Sequence, residues 1–425
     1  MKVNYTRVPL REIASVDISG VDKKIKEGEQ RIQLCNFINV YHNWAITSYI
    51  QKDFMNASAS KNEISKYRIC KGQVAITKDS ETRDDIGVST YIADEFDNVV
   101  LGYHCALITP RQEFLNGKFL NAFLHSKSAN KYFEANASGS GQRFTLTLES
   151  IRGIKIPLLS LNDQRKIGEL FSLIDRKIEN NNIISKKLEK LAKNYYEYWF
   201  VQFDFPDLEG KPYKTSGGKM IYNKKLKRLI PERWTVASLF KNELTKIIKP
   251  GVEQFTSKNY LATANVVGTT IKDGKWITYE DRESRANMQP ILNSVWFAKM
   301  KNSIKHITIT KKDLWMINKY ILSTGFLGLL CDSSSLSYVH CFINSELFEF
   351  VKDRLAHGAT QEAVKNDDLK YIKMVIPPKD ILKAFNKTIL PMLEQMNRNI
   401  NENQELIKLR DFLLPMLING QAVIE

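Results

Sequence analysis

The chain has 425 residues, 62 Lys and Arg against 47 Asp and Glu, a formal charge of +15 and a sequence pI near 9.3. That length suits two or three domains, and 43% hydrophobic residues suffice to bury real cores, which excludes wholesale disorder. The longest apolar run, Gly325 to Cys331, is far short of a membrane span; the N-terminus has no apolar secretory core; five cysteines with no C-x-x-C exclude a disulfide framework and a cysteine zinc site. A cytoplasmic protein without a membrane is the expectation.

Taken in chain order, Arg68 to Thr77 and Asp97 to Thr109 read as strands with turns, and Phe114 to Glu134 as an amphipathic helix. A small-residue loop, Ser138-Gly-Ser-Gly-Gln142, precedes Leu148-Glu-Ser-Ile-Arg-Gly-Ile-Lys-Ile-Pro157, whose alternation predicts a short strand stopped by proline. Asn162 is placed to cap a long helix that should run to about Trp199, with Ile167, Phe171, Ile174, Ile178, Leu188, Leu191 and Tyr195 on its seam.

The second half repeats the order. Ser303 to Thr310 and Tyr320 to Cys331 are strand-like, and Asn344 to Leu355 is helical. The loop His357-Gly-Ala-Thr-Gln361 precedes Asp368-Leu-Lys-Tyr-Ile-Lys-Met-Val-Ile-Pro377, and a second long helical pattern runs from Phe385 to Leu417. A slide of 218 residues sets Leu188 on Leu406, Leu191 on Leu409 and Tyr195 on Leu413. Both seams are narrow, like a coiled-coil stripe, and both are interrupted by asparagines: Asn180, Asn181 and Asn182 in one, Asn397, Asn399, Asn401 and Asn403 in the other. Buried, these would fix register and partner; exposed, they would carry no information. Pro391 should kink the second helix or mark a late start.

The expected fold class is therefore α+β, with two mixed α/β blocks, a pseudo-twofold internal repeat, and two long helices that pair as an intramolecular antiparallel coiled coil. The boundaries are a block at 1–160, a central helix at 161–203, a connector at 204–224, a block at 225–378 and a C-terminal helix at 379–425. The positive surplus lies in the blocks and the connector, while the two helices are nearly neutral. Such a field suits a polyanion, although a solubilising surface would look the same.

Catalytic constellations are missing. Gly139-Ser-Gly-Gln-Arg-Phe144 lacks the third glycine of a dinucleotide fingerprint, and neither a phosphate-binding G-x-x-x-x-G-K-[ST] loop nor an Asn-Pro-Pro-Tyr-type methyltransferase tetrapeptide occurs. Asp84-Asp85 and Asp367-Asp368 read as solvated turns or caps, and the six histidines are scattered. Gln142 and Arg143, exposed on a polar loop, suit base edges, Gln for adenine and Arg for guanine; an ordinary turn is the alternative. Trp199, Phe200 and Phe203 could stack on bases or anchor a helix end.

Several segments resemble the specificity subunit of type I DNA restriction–modification enzymes. They are Leu161-Asn-Asp-Gln-Arg-Lys-Ile167, Ile174-Asp-Arg-Lys-Ile-Glu179, Leu188-Glu-Lys-Leu191, Tyr198-Trp-Phe-Val-Gln-Phe-Asp-Phe-Pro206, Gly210-Lys-Pro-Tyr-Lys-Thr-Ser-Gly-Gly218, Ile230-Pro-Glu-Arg-Trp234 and Leu413-Leu-Pro-Met-Leu-Ile-Asn-Gly420. Pro391 departs from that pattern. The resemblance implies two target-recognition domains, each reading one half of a split double-stranded DNA target, with the paired helices as ruler. It also implies docking of two modification (methyltransferase) subunits and two restriction (motor-nuclease) subunits. S-adenosylmethionine, ATP and Mg²⁺ would be used by those partners, with no cofactor and no catalysis in this chain.

On that footing the candidate base readers are Gln142, Arg143, Thr145, Thr360 and Gln361. The candidate phosphate contacts are Lys78 and Arg83 in the first block and Lys299, Lys301, Lys305, Ser323 and Thr324 in the second. The rivals are a coiled-coil interaction scaffold with two peptide-binding heads, and a self-sufficient methyltransferase or nuclease.

Overall fold

The computed structural model describes residues 5–139, 141 and 143–424. The chain divides into two compact units, residues 1–179 with 403–425, and residues 180–402.

In the first unit a five-stranded sheet runs in the order Ala14–Ile18, Cys105–Pro110, Val74–Thr77, Ser89–Ile92, Ala45–Ile46. Its pairings are antiparallel except the last. Val74–Thr77 and Ser89–Ile92 are buried at every residue, the mark of strands covered on both faces. A smaller sheet, Met55–Ala59, Gln30–Cys35, Val99–Leu101, adds one parallel pair.

The expected helix over Phe114 to Glu134 is two helices, Gly117–Leu124 and Lys127–Asn136. Asn116 accepts the Phe119 N–H and Ser126 accepts the Ala129 N–H, so a second N-cap lies inside the apolar pattern and restarts the helix. Similar local bonding narrows two strands. A turn at Lys71 and Gly72, closed by the Gln73 N–H on Cys70 O at 3.2 Å, leaves only Val74–Thr77 extended, and Thr147 caps Leu148–Arg152, leaving Lys155–Pro157.

The second unit repeats most of this strand order, with one strand fewer in the main sheet and one more in the smaller. One sheet runs Thr245–Ile247, Phe326–Cys331, Ser294–Ala298, His306–Ile309, all antiparallel. The other runs Lys275–Ile277, Lys258–Leu261, Tyr320–Ser323, Ala286–Met288, again with one parallel pair. The helix pair recurs as Leu336–Ile343 and Glu346–Leu355, of the same 8 and 10 residues as in the first unit.

The first long helix spans Leu161–Tyr196 and continues as a π-helical turn, Glu197–Val201. Ser160, not Asn162, starts it: the Ser160 hydroxyl accepts the Asp163 N–H at 3.1 Å. The second spans Lys379–Ile418 without a break at Pro391. The asparagines divide: Asn181, Asn397 and Asn399 are buried, Asn180 and Asn182 exposed. Trp199, Phe200 and Phe203 are buried against Trp234 and Phe385, which makes them a helix-end anchor rather than a stacking platform.

Candidate nucleic-acid interface

Each unit builds a loop on the same backbone scaffold. Where the strand Val74–Thr77 ends, the Lys78 N–H donates to His104 O at 2.8 Å, and Lys78 O accepts the Leu146 N–H at 2.7 Å. The polar loop before Leu146 is closed by two backbone hydrogen bonds between Ser138 and Thr145, at 2.9 and 2.8 Å. In the second unit Lys299 donates to Gly325 O at 2.9 Å and accepts from Val364 at 3.0 Å. His357 and Ala363 close that loop at 3.2 and 3.1 Å.

Glycine is required at the same place in both. Gly139 sits at φ 123° and Gly358 at φ 141°, and a Cβ there would lie 2.3 Å from Arg143 O or 2.6 Å from Gln361 O.

The side chains differ. In the first unit the Asp79 carboxylate, about 8% exposed, accepts from the Thr145 hydroxyl and, at 3.0 Å, from the Lys78 ammonium. His104 Nδ1 reaches the same carboxylate, and Arg143 Nη2 lies 3.0 Å from His104 Nδ1 and 3.6 Å from Asp79 Oδ2. Burial raises the Asp79 pKa, but the hydrogen bonds from Thr145, His104 and Lys78 outweigh it and hold the carboxyl below its usual range. Asp79, His104 and Arg143, with Phe37, Tyr41 and Asp85, line an open cleft of about 520 Å³. Tyr41 donates to Asp85 at 2.5 Å.

In the second unit the cleft, about 410 Å³, is lined by Met300, Lys301, Asn302, Ser303, Lys305, Gln361 and Glu362. Gln361 Nε2 lies 2.7 Å from Met300 Sδ, and Lys301 pairs with Glu362 at 2.7 Å. No acid stands at the position of Asp79; the residue there is Met300.

Of the residues nominated from sequence, Lys78, Arg143 and Thr145 converge on Asp79, with Arg143 alone of the three lining the first cleft, and Lys301, Lys305 and Gln361 line the second. Thr145 turns inward to Asp79, and Lys78 is likewise engaged. Arg83 is exposed over the Phe144 ring at 5.1 Å, and Thr360 is exposed on the second loop. Lys305 donates to Thr263 O at 2.7 Å, and burial, with Arg285 nearby, pushes the Lys299 ammonium below its usual pKa. Thr324 is half-buried, its N–H bonded to Arg285 O, and Ser323 is buried, its hydroxyl accepting the Gly325 N–H, so it does not face solvent. Gln142 lies outside the described residues. Sequence reasoning missed Asp79, His104 and Met300; only the adjacency of Asp79 to a nominated lysine hinted at the first. Among the described residues, no group of three or more His, Cys, Asp or Glu side chains could hold a metal ion, and no helix is long and apolar enough to cross a membrane.

Residues 22–190 match the family model of the type I restriction modification DNA specificity domain. The chain is 25% identical to the type I restriction enzyme MjaIX specificity subunit of Methanocaldococcus jannaschii, over 72% of this chain and 69% of that protein. It is 24% identical to the HindI specificity subunit of Haemophilus influenzae, over 87% of this chain and 92% of that one. Its fold is similar to a crystal structure of a type I restriction-modification S subunit from M. genitalium, at TM-score 0.57 and 14% identity, covering 98% of this chain and 96% of that one. The family match and these relatives make the chain similar to the specificity subunits of type I restriction–modification systems.

Proposed function

We propose that the chain is the DNA-reading subunit of a type I restriction–modification complex, with each loop site addressing one half of a split duplex target. The observation that carries this is the pair of closed loops: one backbone scaffold, built twice, presenting Arg143 in one copy and Gln361 in the other. Residues 1–160 and 225–378 act as the two target-recognition domains. Arg143 and Gln361 are base readers, with Arg suited to guanine and Gln to adenine, and Thr360 stands beside the latter. Arg83, Lys301 and Lys305 are phosphate contacts, since exposed or rim cations position a reader without naming a sequence.

The two long helices pair antiparallel as a spacer. In the second unit, Asn399 Nδ2 donates to Asn181 O at 3.1 Å and to Ser185 Oγ at 3.0 Å, and Trp199 packs on Phe385. In the first, Ile167, Phe171 and Ile174 share a core with Leu414, Leu417 and Ile418. Both sets support opposite chain directions, and buried asparagines meeting in a seam fix register. Modification and restriction subunits supply catalysis, with S-adenosylmethionine, ATP and Mg²⁺ on their side; this chain supplies address and spacing.

The test is duplex binding and methylation by the chain reconstituted with a methyltransferase subunit. Binding should weaken steeply as salt rises, and methylation should fall on a split motif. A scaffold for peptides would show neither.

A further inference from the structure

We propose that Asp79 and His104 are positioning residues that hold the Arg143 guanidinium as a rigid fork for one guanine of the first half-site. This rests on the functional reading above and goes beyond it by naming what sets selectivity at one base.

Lys78 and Lys299 make the same two backbone bonds, and the loops behind them close in the same way. Yet the second copy does this with Met300 where the first has Asp79, and with Gly325 where the first has His104. An acid and an imidazole are therefore not needed to hold the loop.

Asp79 and His104 both carry a cost. Asp79 is a nearly buried carboxylate, a group that stays charged only when donors surround it. His104 stands at φ 69°, in the left-handed region that non-glycine residues avoid. Strain of that kind, held where the scaffold does not require it, is the mark of a functional position.

A ring nitrogen serves one role at a time, and Nδ1 of His104 lies closer to Asp79 than to Arg143. The tautomer with hydrogen on Nδ1 thus donates to the carboxylate, and the guanidinium is drawn by the Asp79 charge at 3.6 Å. Arg143 is held through one terminal nitrogen while its side chain remains 66% exposed at the cleft. A guanidinium already drawn to one place beside the cleft loses less freedom on meeting the O6 and N7 acceptors of guanine, and tolerates a wrong base less well.

The experiment uses the chain reconstituted with its methyltransferase subunit, on duplexes carrying the motif found by methylome sequencing. Methylation rates are compared for the native duplex and for duplexes with each guanine of the first half-site replaced by adenine or 7-deazaguanine, which lacks N7. Arg143→Ala should abolish discrimination at one guanine. Asp79→Asn and His104→Gly should each lower that discrimination at least tenfold, leave the other half-site untouched, and add nothing to Arg143→Ala. His104→Gly relieves strain, so a loss of selectivity there is not a loss of folding.

The proposal is overturned if the Asp79 and His104 variants slow methylation equally on all duplexes, or leave discrimination intact while Arg143→Ala removes it. If Arg143→Ala changes no guanine, Arg143 is not a reader and the proposal falls, while split-motif methylation still upholds the broader function. If the unaltered complex methylates no preferred sequence, that broader function fails as well.

Discussion

Lys78 and Lys299 occupy the same place in their sheets, each at the end of a buried strand and each bonded to a following loop through the same pair of backbone groups. From there the chain diverges. The first unit continues with Asp79 and gathers a carboxylate, an imidazole and a guanidinium; the second continues with Met300 and seats Gln361 against a thioether. What is held in common is backbone hydrogen bonding and two glycines, which any side-chain set can ride on. What differs is the set of side chains at the two clefts. On the proposed reading, such a division keeps one fold while each copy addresses its own half of the target.

The same contrast reaches into the cores, and there the largest effects are expected. Phe133 and Lys352 take the same turn of the second helix in their units, seven residues after the capping serine, and both are fully buried. Lys352 Nζ donates to Ser303 O at 3.0 Å and lies 2.5 Å from Glu349 Oε2, a charge contact without hydrogen-bond alignment. His306 meets the other carboxylate oxygen at 2.9 Å. Phe133→Ala should cost about 3–5 kcal/mol through a cavity. Lys352→Ala should cost about as much by stranding Glu349, and Lys352→Met with Glu349→Leu should recover most of it. Denaturant midpoints of the variants check both, and a Lys352→Ala loss that the double substitution does not reduce would break the distinction.

Next in size are the loop glycines. Gly139→Ala and Gly358→Ala each force an L side chain into positive φ and against a carbonyl, a strain of about 1–3 kcal/mol. Each should relax sequence preference in its own half of the target and leave the other half intact, read from the methylated motif.

Acid should act on both units through buried imidazoles. Burial, with the Arg410 charge, pushes His125 down to about 4, and burial, with His306, pushes His340 down to about 3. A histidine depressed in the fold contributes stability that is complete above its unfolded pKa of about 6.5. Below that value the unfolded chain takes up the proton first, so stability falls by about 1.4 kcal/mol per pH unit per histidine until the folded pKa is reached. His340→Gln should flatten that slope by one proton's worth, measured as unfolding free energy between pH 7 and pH 5.

The smallest effect belongs to the surface. The Lys301–Glu362 pair is 39% and 47% exposed, so Lys301→Ala should change stability by less than about 1 kcal/mol. As a phosphate contact it should instead reduce the slope of log affinity against log salt by about 1, across all sequences alike.

Much of this architecture was legible in the residues. Two prolines ending two strands, two small-residue loops and two narrow apolar seams reveal a chain built twice, because periodicity and punctuation are local properties. Caps hidden inside apolar patterns were less visible. Asn116 and Ser126 lie ten residues apart in a stretch whose hydrophobic spacing alone reads as one helix, and Ser160 displaced Asn162 because its hydroxyl lies three residues before a free N–H. Of the Asp79 site, Lys78, Arg143 and Thr145 were nominated from sequence, but their meeting with Asp79 and His104 was not legible. Asp79, His104 and Thr145 meet only because Val74–Thr77 pairs with Cys105–Pro110 and Asp79–Ser80 with Phe144–Thr145. Thr145, nominated for the base edge, faces inward for the same reason.

The account turns on two independent readers in one chain, and methylome sequencing of cells with and without the gene tests it most directly. The predicted result is a methylated motif that depends on the gene and has two specified parts flanking unspecified bases, with Arg143→Ala relaxing one part alone. A single contiguous motif, or one in which both parts change together, would contradict it.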